Sequence, residues 1–184
     1  MRLLAVADSA PHLPLAALVE AHQPDAVVTL GDLEPDWLDE LGRFSLPILG
    51  VYGNHDDGHY LDAANMTNLH LAKAEVGGVT FAGFEGCVRY KRRGTKLQYT
   101  QAQAHRLARR LPAADVLLAH APPAGIHEEP NDRAHEGFDA LADYVARVRP
   151  KFVLHGHTPP PPRGTADLHG TRVIHVVGAQ LLRL

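Results

Sequence analysis

Gly53-Asn54-His55-Asp56-Asp57 comes straight after an apolar run at 47–52, so an amide, an imidazole and two carboxylates stand where a buried strand should end. The pattern recurs along the chain: the run at 2–7 ends in Asp8, that at 26–30 in Gly31-Asp32, that at 115–119 in His120, and that at 151–154 in His155-Gly156-His157. Open α/β sheets bind ligands at the C-terminal ends of their strands, which is where these side chains fall. Any one of them has a plain reading, since Asp8 and Asp32 suit helix N-caps or turns. Five together are hard to explain as core packing. Carboxylate, amide oxygen and imidazole without thiolate favour Mn²⁺, Fe or Zn²⁺. A divalent metal so held suits hydrolysis of a phosphate ester: it neutralises the phosphoryl oxygens and lowers the pKa of bound water from ~16 toward ~7.

The elements that must position these groups alternate. Helical spacing at 13–22 lies between the runs at 2–7 and 26–30, and a short helix at 36–44 precedes the strand at 47–52. Strand, helix, strand predicts a parallel sheet with crossover helices. Gly77-Gly78 inside the strand-like stretch 69–86 is a hairpin signal, so the sheet there turns antiparallel or mixed. A helix at 100–111 has Thr100 as N-cap and Pro112 as its end, and a second amphipathic helix at 136–150 also closes on proline. Strands at 114–120, 151–157 and 171–184 complete the C-terminal half. The polar, Gly- and Pro-rich stretches 88–99 and 121–135 read as functional loops.

With 184 residues, 45% of them hydrophobic, the chain suits a single domain over 1–184. Lys and Arg number 18 against 21 Asp and Glu, which argues against a nucleic-acid backbone or anionic membrane as partner. Only 89–93 is locally basic. One cysteine, Cys87, excludes an internal disulfide, no apolar run approaches ~18 residues, and a cytoplasmic location follows as the expectation.

The motifs, their order and their spacing resemble the calcineurin-like metallophosphoesterases, small single-domain bacterial members in particular. Gly53-Asn54-His55-Asp56 followed by His155-Gly156-His157-Thr158 carries most of the resemblance, with Asp8, Gly31-Asp32 and His120 at the other motif positions. It implies a four-layer αββα sandwich with mixed sheets. It further implies Asp8, Asp32, Asn54, His120 and His157 as metal ligands with Asp32 bridging, and His55 as general acid to the leaving alkoxide. Asp56 is expected to orient the loop. Family members bind two metals, but the histidines usual at positions 10 and 159 are Ala10 and Pro159 here. Both belong to one metal, so that site reads as degenerate and one or two ions bind, Mn²⁺ first, Fe or Zn²⁺ as alternatives. His12 is the candidate substitute ligand, with His155 a neighbour from the last motif.

The expected function is hydrolysis of a small phosphoester, a phosphodiester first, by metal-bound water with His55 donating the proton. The alternative is a catalytically impaired scaffold or binding protein, favoured by the two lost histidines and opposed by the retention of His55. His22, His70, His105 and His169 read as solvated or capping residues, His175 as a satisfied half-buried one, and Cys87 as packed. His59, His127 and His135 lie in or near the loops without a motif. Arg89, Tyr90 and Arg92 are either a rim site for phosphate or nucleobase, or a solvated face.

Overall fold

The computed structural model describes residues 1–63, 66–92, 96–129 and 131–184, so Arg93 of the basic run and Pro130 lie outside the described residues. In chain order these form β1 (Arg2–Ala7), α1 (Leu15–His22), β2 (Ala26–Thr29), α2 (Pro35–Leu41), β3 (Ile48–Gly50), α3 (Tyr60–Ala63), β4 (Thr67–Asn68), β5 (Lys73–Val76), β6 (Val79–Phe84), β7 (Cys87–Val88), β8 (Gln98–Tyr99), α4 (Gln101–Ala108), β9 (Val116–Ala119), a 3₁₀ turn (Arg133–His135), α5 (Asp139–Val148), β10 (Phe152–His155), β11 (Thr165–Leu168), β12 (Thr171–His175) and β13 (Gly178–Arg183).

Strand order in the first sheet is β13-β1-β2-β3-β4, parallel except for β13. The second runs β11-β12-β10-β9-β6-β5, with β12, β10, β9 and β6 parallel and the two edge strands antiparallel. Successive residues of a strand point to opposite faces, and this chain fills both faces with apolar groups. Leu3, Ala5 and Ala7 of β1 face Phe81, Leu118 and Leu154 between the sheets, while Leu4 and Val6 face Leu15 and Trp37 on the helix side. In the second sheet Leu117, Ala119 and Val153 turn outward onto Leu141, Tyr144 and Val145 of α5. Helix, sheet, sheet, helix is therefore the layer order, the αββα sandwich with mixed sheets. Each fully buried Leu or Phe contributes about 1.5–3 kcal/mol, and Leu3, Leu4, Phe81 and Leu117 are all of that kind.

Thr100 caps α4 as its sequence suggests: its Oγ1 accepts the Gln103 N–H at 3.2 Å while Gln103 Oε1 accepts the Thr100 N–H at 2.9 Å. Two expectations change. The stretch 171–184 is two strands in different sheets, because Gly178 at φ +66° turns the chain from β12 across to β13. The stretch 88–99 is not wholly irregular, since Cys87–Val88 pairs in parallel with Gln98–Tyr99. Among the described residues no helix is long and apolar enough to cross a membrane.

Candidate functional site

The C-terminal ends of the parallel strands from both sheets meet at one edge, tied across the gap by the Gly86 N–H on Tyr52 O at 2.8 Å and the His157 N–H on Asp8 Oδ2 at 2.8 Å. The chain there is held in conformations that L-residues rarely adopt: Asp8, Asp32 and His157 have φ of +58°, +52° and +65°. Such strain persists only where the surroundings enforce it, and it clusters at functional sites. Asp56 is one source of the enforcement. Its Oδ2 accepts the N–H of Gly53 at 2.7 Å and of Asp32 at 2.9 Å and the Tyr60 hydroxyl at 3.1 Å, and its Oδ1 accepts the Leu33 N–H at 3.3 Å. Gly31, at φ +91°, is another, because a Cβ there would collide with the Gly53 backbone.

Inside this frame Asp32, His120 and His157 each offer a ligand atom, all within 4.8 Å of one another. His120 is fully buried, and its Nδ1–H donates to Leu30 O at 2.7 Å, which aims Nε2 at Asn54 Oδ1, 3.0 Å away, and Asp32 Oδ2, 3.4 Å away. His157 donates Nε2–H to Ala134 O at 2.7 Å, leaving Nδ1 with the lone pair. Each imidazole thus has one nitrogen fixed by a carbonyl and the other free to ligate, the arrangement metal-binding histidines need. Asp32 Oδ1 accepts the His55 N–H at 2.8 Å, and Asn54 Nδ2 is buried without a partner among the described residues while its oxygen faces His120.

The electrostatics favour positive charge at this point. Burial opposes charge on His120, but Asp32 above all, with Asp8 and the Leu30 carbonyl, pushes its ring up to about 9. Burial likewise works against the Asp32 carboxylate, yet the neighbouring His120 and the His55 N–H hold it down at about 2. Burial pushes His157 down to about 3, aided by the charge of His120, so it stays a neutral donor. A carboxylate, an amide oxygen and two oriented imidazoles, with no thiolate, fit a divalent cation of the Mn²⁺, Fe or Zn²⁺ type.

Asp8 is brought beside this triad but not into it. Its Oδ2 accepts the His157 N–H, and burial raises its carboxyl to about 6. Ala10 is exposed, Pro159 is half-buried, and His12 is exposed and outside the triad. His155 turns away altogether, onto the outer face of the second sheet, with Nε2 2.8 Å from His127 Nδ1. His70 is not a solvated residue: its Nδ1 accepts the Glu85 N–H at 3.1 Å, its ring stacks on Tyr99, and burial pushes it down to about 4. His175 is buried rather than half-buried; its Nδ1 accepts the Arg163 N–H at 2.9 Å and its Nε2 has no partner among the described residues. Cys87 is packed, with burial pushing its thiol up to about 12, far from nucleophilic.

His55 is exposed at the wall of a cleft of about 700 Å³. Asn54, Asp57, His59, Lys91, Lys96 and Gln98 share its lining with His55. The sequence reading passed over Lys91 and Lys96, and looked instead to Arg89, whose guanidinium Nε and Nη2 donate to Gln98 O at 3.3 and 3.0 Å. It also passed over Tyr60, whose hydroxyl anchors Asp56; a tyrosine four residues on, at the start of a helix, was the available signal.

Among solved structures, TT1561 of Thermus thermophilus superposes with a TM-score of 0.69 at 18% identity, covering 96% of this chain and 89% of that one. Phosphopantetheinyl hydrolase from Mycobacterium tuberculosis does so with a TM-score of 0.61 at 16% identity, covering 96% and 89%. A hypothetical protein, also from Thermus thermophilus, gives 0.58 at 21%, covering 97% and 76%. At these identities the likeness is one of fold. No curated protein sequence matches. The model of the calcineurin-like phosphoesterase superfamily domain matches residues 1–176, and the chain therefore belongs to that superfamily.

Proposed function

We propose that this protein is a metal-dependent phosphoesterase acting on a small phosphodiester, with residues 1–184 as one catalytic domain working in the cytoplasm. It holds a single divalent cation on Asp32, Asn54, His120 and His157, with Mn²⁺ the first candidate and Fe or Zn²⁺ behind it. The observation that carries this reading is the convergence of oriented oxygen and nitrogen donors at the strand ends, next to an exposed histidine on a cleft. A divalent ion there supplies Lewis acidity, neutralising phosphoryl oxygens and acidifying a bound water.

The chain's own groups do the rest. Asn54 and His55 mark the part of the cleft that receives the phosphoryl group, and the His55 imidazole delivers a proton to the departing alkoxide. The hydrogen bond from the His55 N–H to Asp32 Oδ1 fixes that residue's backbone against the ligand carboxylate. Asp56 keeps the loop in place through its four hydrogen bonds. With Ala10 and Pro159 at the usual histidine positions, Asp8 remains as the one family ligand on the other side, and its role becomes the positioning of His157.

The test is hydrolysis of bis(4-nitrophenyl) phosphate by chelator-stripped protein, before and after Mn²⁺. Activity is expected to return with the metal, and Asn54→Ala to lose the metal by elemental analysis. His55→Ala is expected to keep the metal while turnover falls roughly 10²- to 10⁴-fold; equal turnover would remove His55 from the mechanism. Wild-type protein that neither binds metal nor hydrolyses the diester would favour the scaffold reading suggested by Ala10 and Pro159.

A further inference from the structure

Two lysines, Lys91 and Lys96, line the same cleft as His55, and the ribbon that carries them is braced. Cys87–Val88 and Gln98–Tyr99 run in parallel, and Gln98 is buried. Gln98 accepts through two atoms: its backbone carbonyl takes the Arg89 guanidinium, and its Oε1 takes the Lys91 N–H at 3.4 Å. Arg89 thus closes the base of the loop from inside, and it is Lys91 and Lys96, one on each arm, that reach the cleft. The Lys91 ammonium is further located 5.2 Å above the Tyr90 ring, a cation–π contact.

The carboxylates in the same cleft are held by other partners. Asp56 is engaged by backbone N–H groups and Tyr60, and Asp57 Oδ1 accepts the N–H groups of His59 at 2.7 Å and Tyr60 at 3.1 Å. Among the described residues neither lysine is in an ion pair. A chain of net charge −3 therefore presents, in the cleft that His55 lines, two lysines outside any ion pair among the described residues.

We propose that Lys91 and Lys96 bind a second anionic group of the substrate, on the leaving-group side, so that the alcohol released is itself an anion bearing a phosphate or carboxylate. The inference rests on the phosphoesterase reading. The side follows from His55: a group that protonates the departing oxygen stands next to whatever that oxygen carries away, and the two lysines line the same cleft as His55. In the reaction the oxygen of water bonds to phosphorus as one of its protons passes to solvent, the phosphorus–oxygen bond to the alcohol breaks, and His55 gives its proton to that alkoxide and regains one from solvent. The products are a phosphomonoester and an anionic alcohol held by the two ammonium groups until it leaves.

Binding probes that cannot be hydrolysed test this. Phenylphosphonate, 3-carboxyphenylphosphonate and benzene-1,3-diphosphonate are titrated calorimetrically into Mn²⁺-loaded protein, wild type and the double variant Lys91→Met/Lys96→Met. In the wild type the two probes with a second anionic group are expected to bind at least tenfold more tightly than phenylphosphonate, with the advantage shrinking between 50 and 500 mM salt as screening predicts. The tighter of the two names the second group as carboxylate or phosphate. In the double variant the three affinities should fall within about twofold. Equal affinities in the wild type, or a preference that survives in the variant, would overturn the proposal alone. Phenylphosphonate that fails to bind at all, with metal present, would overturn the phosphoesterase reading and this inference with it.

Discussion

Two groups of histidines stand at the C-terminal ends of neighbouring strands, on opposite faces of the second sheet. His120, following β9, faces the first sheet, and His157 lies beside it with ring centroids 4.8 Å apart. His155 and His175, paired in register on β10 and β12, face outward; their rings stack at 5.1 Å and 10°, and His127 closes over them. His120, His155 and His175 are buried and His157 and His127 half-buried, and both groups have ring nitrogens tied to backbone. The inner group has Asp32, Asp8 and Asn54 around it, so His120 is driven up to about 9. The outer group has one another, Gly156 O and the Arg163 N–H, so burial prevails and His175 is pushed down to about 4. Burial alone leaves a histidine neutral, as at His157 and His175; the neighbouring carboxylates raise His120 and give the inner group the charge that suits a cation.

If that difference is the functional one, the two groups should respond oppositely to substitution. Asp32→Ala is expected to remove essentially all bound metal, measured by elemental analysis after Mn²⁺ loading and desalting, while His127→Ala retains the wild-type stoichiometry. A His127→Ala protein as empty as Asp32→Ala would erase the distinction. Gly156 lies between the two groups, and the space its Cβ would need is filled by the Asp8 carboxylate and the Ala7 side chain. Gly156→Ala should therefore displace Asp8 and the His157 N–H that it accepts. The expected result is a loss of Mn²⁺ affinity of about 100-fold by calorimetric titration, together with a stability loss within the 1–3 kcal/mol typical of overpacking. Unchanged affinity would show that Asp8 has no part in placing His157.

The inner group was legible in the sequence because each member closes an apolar run, and a strand followed by a ligand-type side chain is a local signal. The outer group was not. His155 and His175 meet only through the pairing of β10 with β12, twenty residues of separation that no periodicity records, and His127 arrives from a loop at φ +58°. The crossing of 171–184 from one sheet to the other was hidden for a similar reason: β12 and β13 are both strand-like, and one glycine, Gly178, makes the change. The basic loop shows a different limit. Its sequence left Arg89, Tyr90 and Arg92 open between a rim site and a solvated face, whereas in the structure Arg89 bonds its own ribbon and Lys91 and Lys96 line the cleft. Charge is visible in a sequence; which charges are already partnered is not.

The smallest expected effect isolates the outer group by pH. His175 has an ordinary value of 6.5 and is lowered to about 4 by burial, with His127 and Arg163 adding to the same direction, and His127 itself is lowered by burial and Arg163. The groups facing it are those two, His155, and Glu129 paired to Arg163. Below 6.5 the unfolded chain binds a proton at His175 that the folded chain refuses, so stability from keeping the ring neutral is complete above about 6.5 and is lost as pH falls toward about 4. At about 1.4 kcal/mol per unit, reduced for solvent reaching the loop above the ring, the loss is about 2 kcal/mol. Urea unfolding at pH 7.5 and 4.5 with chelator present measures it, in the wild type and in His175→Asn, whose amide oxygen can still accept the Arg163 N–H. The variant is expected to lose about 2 kcal/mol less on acidification. Parallel losses in the two proteins would mean that the outer histidines titrate freely, and that burial without carboxylates is not what separates the two groups.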